Sequence, residues 1–345
     1  DYNPNSYILT TGTQMQTAIP TSGGGAVVSW AISPTLPAGL TFSTSNGQIS
    51  GTPTAIISGT NFTITATNAG GTDTAIVNIT VNDIAPSSIE YAPNVFTLSK
   101  GSLMQTAMPT YEGGTVTSWS ITPQLPAGLV FSTSTGEISG TPTVVSQSTT
   151  YTVAASNTGG SASTIVTIQV NEAIPVISYG TTTLTTQIGL QINTIVPTST
   201  GGPVATWSIS PTLPTGLVFD SSNGEISGTP SVVSPETVYT ITVTNSGGTD
   251  TASVTITIND IPPNSVSYSS SFFALTKDSE MTPEEPNNLG GTVTDWSINP
   301  QLPNGLSINA VNGTISGTPL SVSSAITYTI TAENSGGSTA VTITI

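Results

Sequence analysis

Apolar and polar side chains alternate along most of this chain. The runs FTITATN (Phe62 to Asn68), YTVAASN (Tyr151 to Asn157), YTITVTN (Tyr239 to Asn245) and YTITAEN (Tyr328 to Asn334) have period two and are rich in β-branched residues, the pattern of strands with one buried face. Each run meets a glycine pair (Gly70-Gly71, Gly159-Gly160, Gly247-Gly248, Gly336-Gly337) and then a second alternating run such as Val77 to Val81 or Val254 to Ile258. Together they predict a hairpin with a glycine-bearing turn. Further strands are expected from Tyr7 and from Phe96, on a central strand around each tryptophan, and in short pairs bracketing the turns Asn46-Gly47, Thr135-Gly136, Asn223-Gly224 and Asn312-Gly313. About seven short antiparallel strands recur in this way, which argues for a two-layer β-sandwich.

The pattern repeats four times. One sentence runs from Trp30, Trp119, Trp207 and Trp296 to the ISGTP that ends at Pro53, Pro142, Pro230 and Pro319, and the steps between the tryptophans are 89, 88 and 89 residues. Such a period marks tandem duplication of one supersecondary unit. Tyr2, Tyr91, Tyr179 and Tyr268 each stand 18 residues before a proline, and each of those prolines stands 10 before its tryptophan. The only length change falls in the Pro-containing connectors NDIAPSSIEY, NEAIPVISY and NDIPPNSVSY, the second being one residue shorter. These connectors are read as domain boundaries, giving repeats 1–82, 83–171, 172–259 and 260–345.

Within each repeat the bland structural roles explain the landmarks. The tryptophan reads as a plug between sheets. The LPxGL loop, Leu36 to Leu40 in the first copy, seals one end of the sandwich with its leucines while its glycine permits a turn. The isoleucine of ISGTP points inward. The arrangement W-S-I-x-P-x-L-P-x-G-L-x-F followed by G-x-I-S-G-T-P resembles the immunoglobulin-like and dystroglycan-type cadherin-like repeats of bacterial and archaeal surface proteins. The resemblance covers all four copies and implies an all-β chain of four tandem immunoglobulin-like antiparallel β-sandwich domains in an extended array. It also implies extracellular stalk-forming or adhesive modules, and it carries no catalytic residue. The fourth copy departs most, with Ile308 in place of Phe42, Phe131 and Phe219 and Thr314 where two copies have glutamate; neither change threatens the fold.

Composition narrows the chemistry. Charged residues make up 6% of the chain, so its polar surface is mostly Thr, Ser and Asn, and a net charge of -16 with two lysines provides no basic patch for nucleic acid or an anionic membrane. No apolar run reaches about 18 residues, so no membrane insertion is expected. Cysteine is absent, so each small domain must fold without a disulfide, which suits a prokaryotic exported protein. With no His, Cys or Arg, histidine bases, thiolates, zinc sets and guanidinium clamps are eliminated, leaving only carboxylate chemistry. The one local acidic cluster, Asp278, Glu280, Glu284 and Glu285, lies in a proline-bearing stretch, and no catalytic residue or enzyme activity is assigned.

Two kinds of site are named. Asp83, Glu172 and Asp260 open the three connectors, where calcium could stiffen a junction, against a plain solubility role for the same charges; no other cofactor is expected. Asn312, Asn61 and Asn78 head N-x-S/T sequons, Asn312 on a predicted turn. The first copy starts one residue before its tyrosine and the fourth stops at Ile345, the equivalent of Ile79, so a longer array or head-to-tail joining by strand addition or docking is expected. Four domains of about 40 Å would span on the order of 160 Å. The chain is therefore read as an extracellular or cell-surface structural element, a stalk or filament building block of a prokaryotic surface, partnered by itself or by further repeats of its parent. An adhesin that grips cell-surface glycan or partner cells, and a spacer in a larger secreted enzyme, are the alternatives.

Overall fold

The computed structural model describes residues 1–345, and every regular element in it is a strand. Repeat 2 shows the plan in full. Its strands are β1 (Ser87–Tyr91), β2 (Val95–Ser99), β3 (Pro109–Glu112), β4 (Ser118–Thr122), β5 (Leu129–Phe131), β6 (Ile138–Gly140), β7 (Ser146–Asn157) and β8 (Gly160–Asn171). One layer is a four-stranded sheet in the order β4-β7-β8-β2. The other is made from the β1–β3 and β5–β6 pairs, joined by the bridge between Ala107 and Ile138. The core between them gathers Trp119 and Ile138 with Tyr151, Val153 and Ala155 of β7 and Val166, Ile168 and Val170 of β8.

The alternation seen in sequence becomes this core directly. Tyr151, Val153 and Ala155 point inward at 3%, 0% and 0% exposure, while Thr152 between them is exposed and Ala154 is only half-buried. The β7–β8 ladder closes at the pair Asn157 and Gly160, so the turn is two residues long. The Asn157 side-chain oxygen accepts from the Gly159 amide at 2.8 Å, an Asx turn that sets the reversal locally. Repeats 1 and 3 repeat the pairing with hairpins Ile57–Asn68/Gly71–Asn82 and Ser234–Asn245/Gly248–Asn259. In repeat 4 the hairpin strands are Thr327–Asn334 and Gly337–Thr344, eight residues each.

Four separate cores result, one inside each repeat. By backbone proximity the chain divides into two compact units, Asp1–Glu172 and Ala173–Ile345.

Two expectations from the sequence are corrected. One early strand pairs in parallel with the last strand of its repeat: β2 runs parallel to β8, Ser6–Thr10 and Thr183–Gln187 do likewise in repeats 1 and 3, and repeat 4 keeps a single parallel bridge between Phe272 and Thr344. The sandwich is thus antiparallel except along this one seam. The tryptophan strand β4 is an edge strand of its sheet, not a central one. Its ring still plugs the interior, because the strand pleat turns Trp119 and Ile121 inward. Named strands number eight in repeats 2 and 3 and six in repeats 1 and 4, against the seven expected.

Candidate functional site: the leading end of each repeat

Each repeat is entered at one end, and the tyrosine, turn glycine and tryptophan common to all four copies meet there. Tyr2, Tyr91, Tyr179 and Tyr268 are buried, and each hydroxyl donates to the carbonyl of the turn glycine 45 residues on: Gly47, Gly136, Gly224 and Gly313. The distance is 2.6 Å in repeats 3 and 4. Burial pushes the phenol pKa up to about 12 at Tyr2 and Tyr179, and upward also at Tyr91 and Tyr268. The turn glycine is pressed under the tryptophan as well: a Cβ on Gly136 (φ 76°) would lie 2.8 Å from the Trp119 ring. Tyr, Pro, Trp and Gly thus form one cluster, which explains their strict spacing. Sequence reasoning recorded the spacing and missed the hydrogen bond, whose partners lie too far apart for any local pattern to reveal.

Above this cluster the incoming connector is clamped onto the repeat. In repeat 2 the Asp83 amide donates to Thr158 Oγ1 at 2.9 Å, and its carboxylate accepts from the amides of Ile84 at 2.8 Å and Thr115 at 3.0 Å. Asn157 Nδ2 donates to the Ile84 carbonyl at 2.7 Å. Gly159 lies so close beneath that a Cβ there would sit 2.0 Å from the Asp83 carbonyl oxygen. Repeat 4 reproduces the clamp: Asp260 N to Ser335 Oγ at 2.9 Å, Ile261 N to Asp260 Oδ1 at 2.8 Å and Asn334 Nδ2 to the Ile261 carbonyl at 2.7 Å. A Cβ on Gly336 would again lie 2.0 Å from the Asp260 carbonyl oxygen. In repeat 3 Asn245 Nδ2 holds the Ala173 carbonyl at 2.7 Å.

The three acids named for calcium therefore stand in hydrogen-bonded or ion-paired positions, one per connector. Asp83 also accepts from Thr11 Oγ1 of repeat 1 at 3.4 Å. Glu172 pairs with Lys100 at 3.5 Å, a partly exposed contact worth under about 1 kcal/mol. The second lysine, Lys277, lies 3.8 Å from Asp278. No group of three or more acidic side chains converges anywhere in the chain. Asn61 and Asn78 face each other across the repeat 1 hairpin, Asn78 Nδ2 donating to Asn61 Oδ1 at 2.7 Å. Asn312 is exposed on its turn and accepts from the Thr314 amide at 3.1 Å.

The model of the family described as "Putative Ig domain" matches residues 1–82, 86–171, 173–259 and 260–345. A serine-rich adhesin for platelets from Staphylococcus aureus is 29% identical over 173 residues, covering 49% of this chain and 7% of the adhesin. Its counterpart from strain MRSA252 is 28% identical over 173 residues, 49% of this chain and 12% of that protein. The chain thus spans only a small part of the length of these relatives. Among solved structures, an I-band fragment of titin aligns at 18% identity with a TM-score of 0.37 over 73% of this chain and 95% of that one. The N-terminal four Ig domains of Dscam1 isoform 4.44 align at 12% identity with a TM-score of 0.33 over 99% and 96%.

Proposed function

Because the chain belongs to the Ig-domain family whose model matches all four repeats, we propose that it is a non-catalytic repeat segment of a prokaryotic cell-surface protein, serving as a stalk or filament unit. One observation carries the reading. The residues that all four copies share are spent on architecture: the tyrosine and turn-glycine contact, the tryptophan plug, and the asparagine that in repeats 2 to 4 holds the connector. A binding loop would diversify among copies while its scaffold stayed constant, whereas here loops and strands repeat together. The absence of His, Cys and Arg supports a role without catalysis, since the common nucleophile and base pairs cannot be built.

The match to a platelet adhesin favours surface display and supports an adhesive second reading. The two are separated by assaying the recombinant chain on a glycan array and on cells, platelets included, and by measuring its end-to-end separation with small-angle scattering. The stalk reading expects no binding and an end separation on the order of 160 Å. Saturable binding to one glycan or cell type would replace it with the adhesive reading. Asn312 is proposed as the sequon that would accept a glycan, checked by the intact mass of native material. Calcium at Asp83, Glu172 and Asp260 would have to compete with the amide and lysine contacts already described, and a calcium-dependent rise in melting temperature would reveal it.

A further inference from the structure

Repeat 1 carries the connector clamp of the other repeats without a stretch of this chain lying in it. Its Asn68 is the counterpart of Asn157, Asn245 and Asn334, and its side-chain oxygen takes the Gly70 amide at 2.8 Å as they do with theirs. Its Nδ2, however, reaches only the Gly25 carbonyl at 3.4 Å, where its counterparts donate to a connector carbonyl at 2.7 Å. Gly70 stands in the place of Gly159 and Gly336, yet the nearest atom to a Cβ there would be Asn68 Oδ1 at 3.2 Å rather than a connector carbonyl oxygen at 2.0 Å. Ala66 is half-buried, whereas its counterparts Ala155, Val243 and Ala332 are fully buried. These residues line a cavity of about 370 Å³ together with Gly24 and Trp30.

We propose that this face of repeat 1 is a peptide seat, and that an extended acid–apolar–any–proline segment placed on the amino side of Asp1 docks in it. The occupant's chemistry is written in the molecule three times: Asp83-Ile84-Ala85-Pro86, Glu172-Ala173-Ile174-Pro175 and Asp260-Ile261-Pro262-Pro263. Presentation from the amino side follows from geometry. Asp1 aligns with Glu90, and its carbonyl accepts from the Thr21 amide at 2.8 Å, as the ladder pairing Glu90 with Thr110 does in repeat 2. A segment ahead of Asp1 is therefore already aimed across Asn68 and Gly70. A weak isolated peptide becomes an effective ligand when tethered at high local concentration. One anchor differs: Ala69 replaces the hydroxyl of Thr158 and Ser335 that accepts the acid's amide, so the seat lacks that hydrogen bond. The inference goes beyond the stalk or adhesive role and does not depend on which of them holds.

The test adds Asp-Ile-Ala-Pro-Ser-Ser-Ile, the sequence of residues 83–89, ahead of Asp1 in the full chain and follows amide exchange at residues 21–28 and 66–72. Exchange there slows about tenfold, the factor expected of one or two net hydrogen bonds. Ala69→Thr in the extended chain slows it further. Gly70→Ala cancels the protection in the extended chain and leaves exchange in the original chain unchanged, which shows that the variant folds. An extended chain with unchanged exchange, or protection that survives Gly70→Ala, overturns the proposal. Equal protection by the free heptapeptide at micromolar concentration would overturn the assignment to a tethered segment.

Discussion

Repeats 1 and 2 present the same asparagine and the same glycine at their leading ends, but in repeat 2 these residues grip a connector and in repeat 1 they border an open cleft. The lesson is that two sets of shared residues serve two purposes. The tyrosine, tryptophan and turn glycine are needed by every repeat for its own fold, and the hydrogen bond from tyrosine to turn glycine is alike in both. The hairpin asparagine and Gly159 or Gly70 serve the joint between repeats, and there the two copies differ in what they hold.

The largest expected contrast is at tryptophan. Trp119 is 4% exposed and carries the Tyr111 ring edge-on, with centroids 5.6 Å apart and planes at 70°; in repeat 1 the counterpart of Tyr111 is Ser22 and Trp30 is half-buried. Trp119→Ala should cost repeat 2 about 3–5 kcal/mol, and Trp30→Ala clearly less, measured by hydrogen exchange resolved to each repeat. Equal losses would show that the aromatic cover adds nothing.

Gly159→Ala comes next. Its Cβ meets the Asp83 carbonyl oxygen, so about 1–3 kcal/mol of overpacking falls on the docked connector, while Gly70→Ala stays within about 0.5 kcal/mol. Exchange of the Ile84 and Thr115 amides reports the first, and a silent Gly159→Ala would remove the contact from the account of the joint.

Removing the tyrosine hydroxyl tests what the repeats have in common. Tyr179→Phe should cost about 1 kcal/mol, the net worth of one buried hydrogen bond, with similar losses in each copy. The same phenols set a pH dependence. They stay neutral in the fold to about pH 12 at Tyr2 and Tyr179 but ionise near 10 when unfolded. The unfolded chain therefore binds fewer protons between those values, and stability is level below pH 10 and declines as pH rises from 10 through 12. A thermal melt that is flat across this window would contradict it. The smallest effect is Lys100→Ala, under about 1 kcal/mol and abolished by salt.

Much of the fold was legible because strand alternation and turn glycines are local. FTITATN and its copies announce both the strand and its buried face, and Gly47 with its equivalents announces a left-handed turn at φ 74°. The acids of the connectors were less legible: from sequence Asp83 was a lone carboxylate with solubility or calcium as readings, and its amide partners, Ile84 beside it and Thr115 far down the chain, appear only once the connector is docked. The glycine pairs were read as turn residues. Their second use, letting a carbonyl oxygen approach to within a side chain's width, has no local signature.

The order of residues by itself determined four equal units, which side chains each strand buries, and where chains reverse, because side-chain direction alternates within a strand whatever its partner. Tertiary structure alone decided the partners: the parallel seam of β2 with β8, the edge position of the tryptophan strand, and the grip of Asn157 on a carbonyl 73 residues away. Period two names a face and leaves the neighbour open, and the neighbour is settled only when two sheets close over one core.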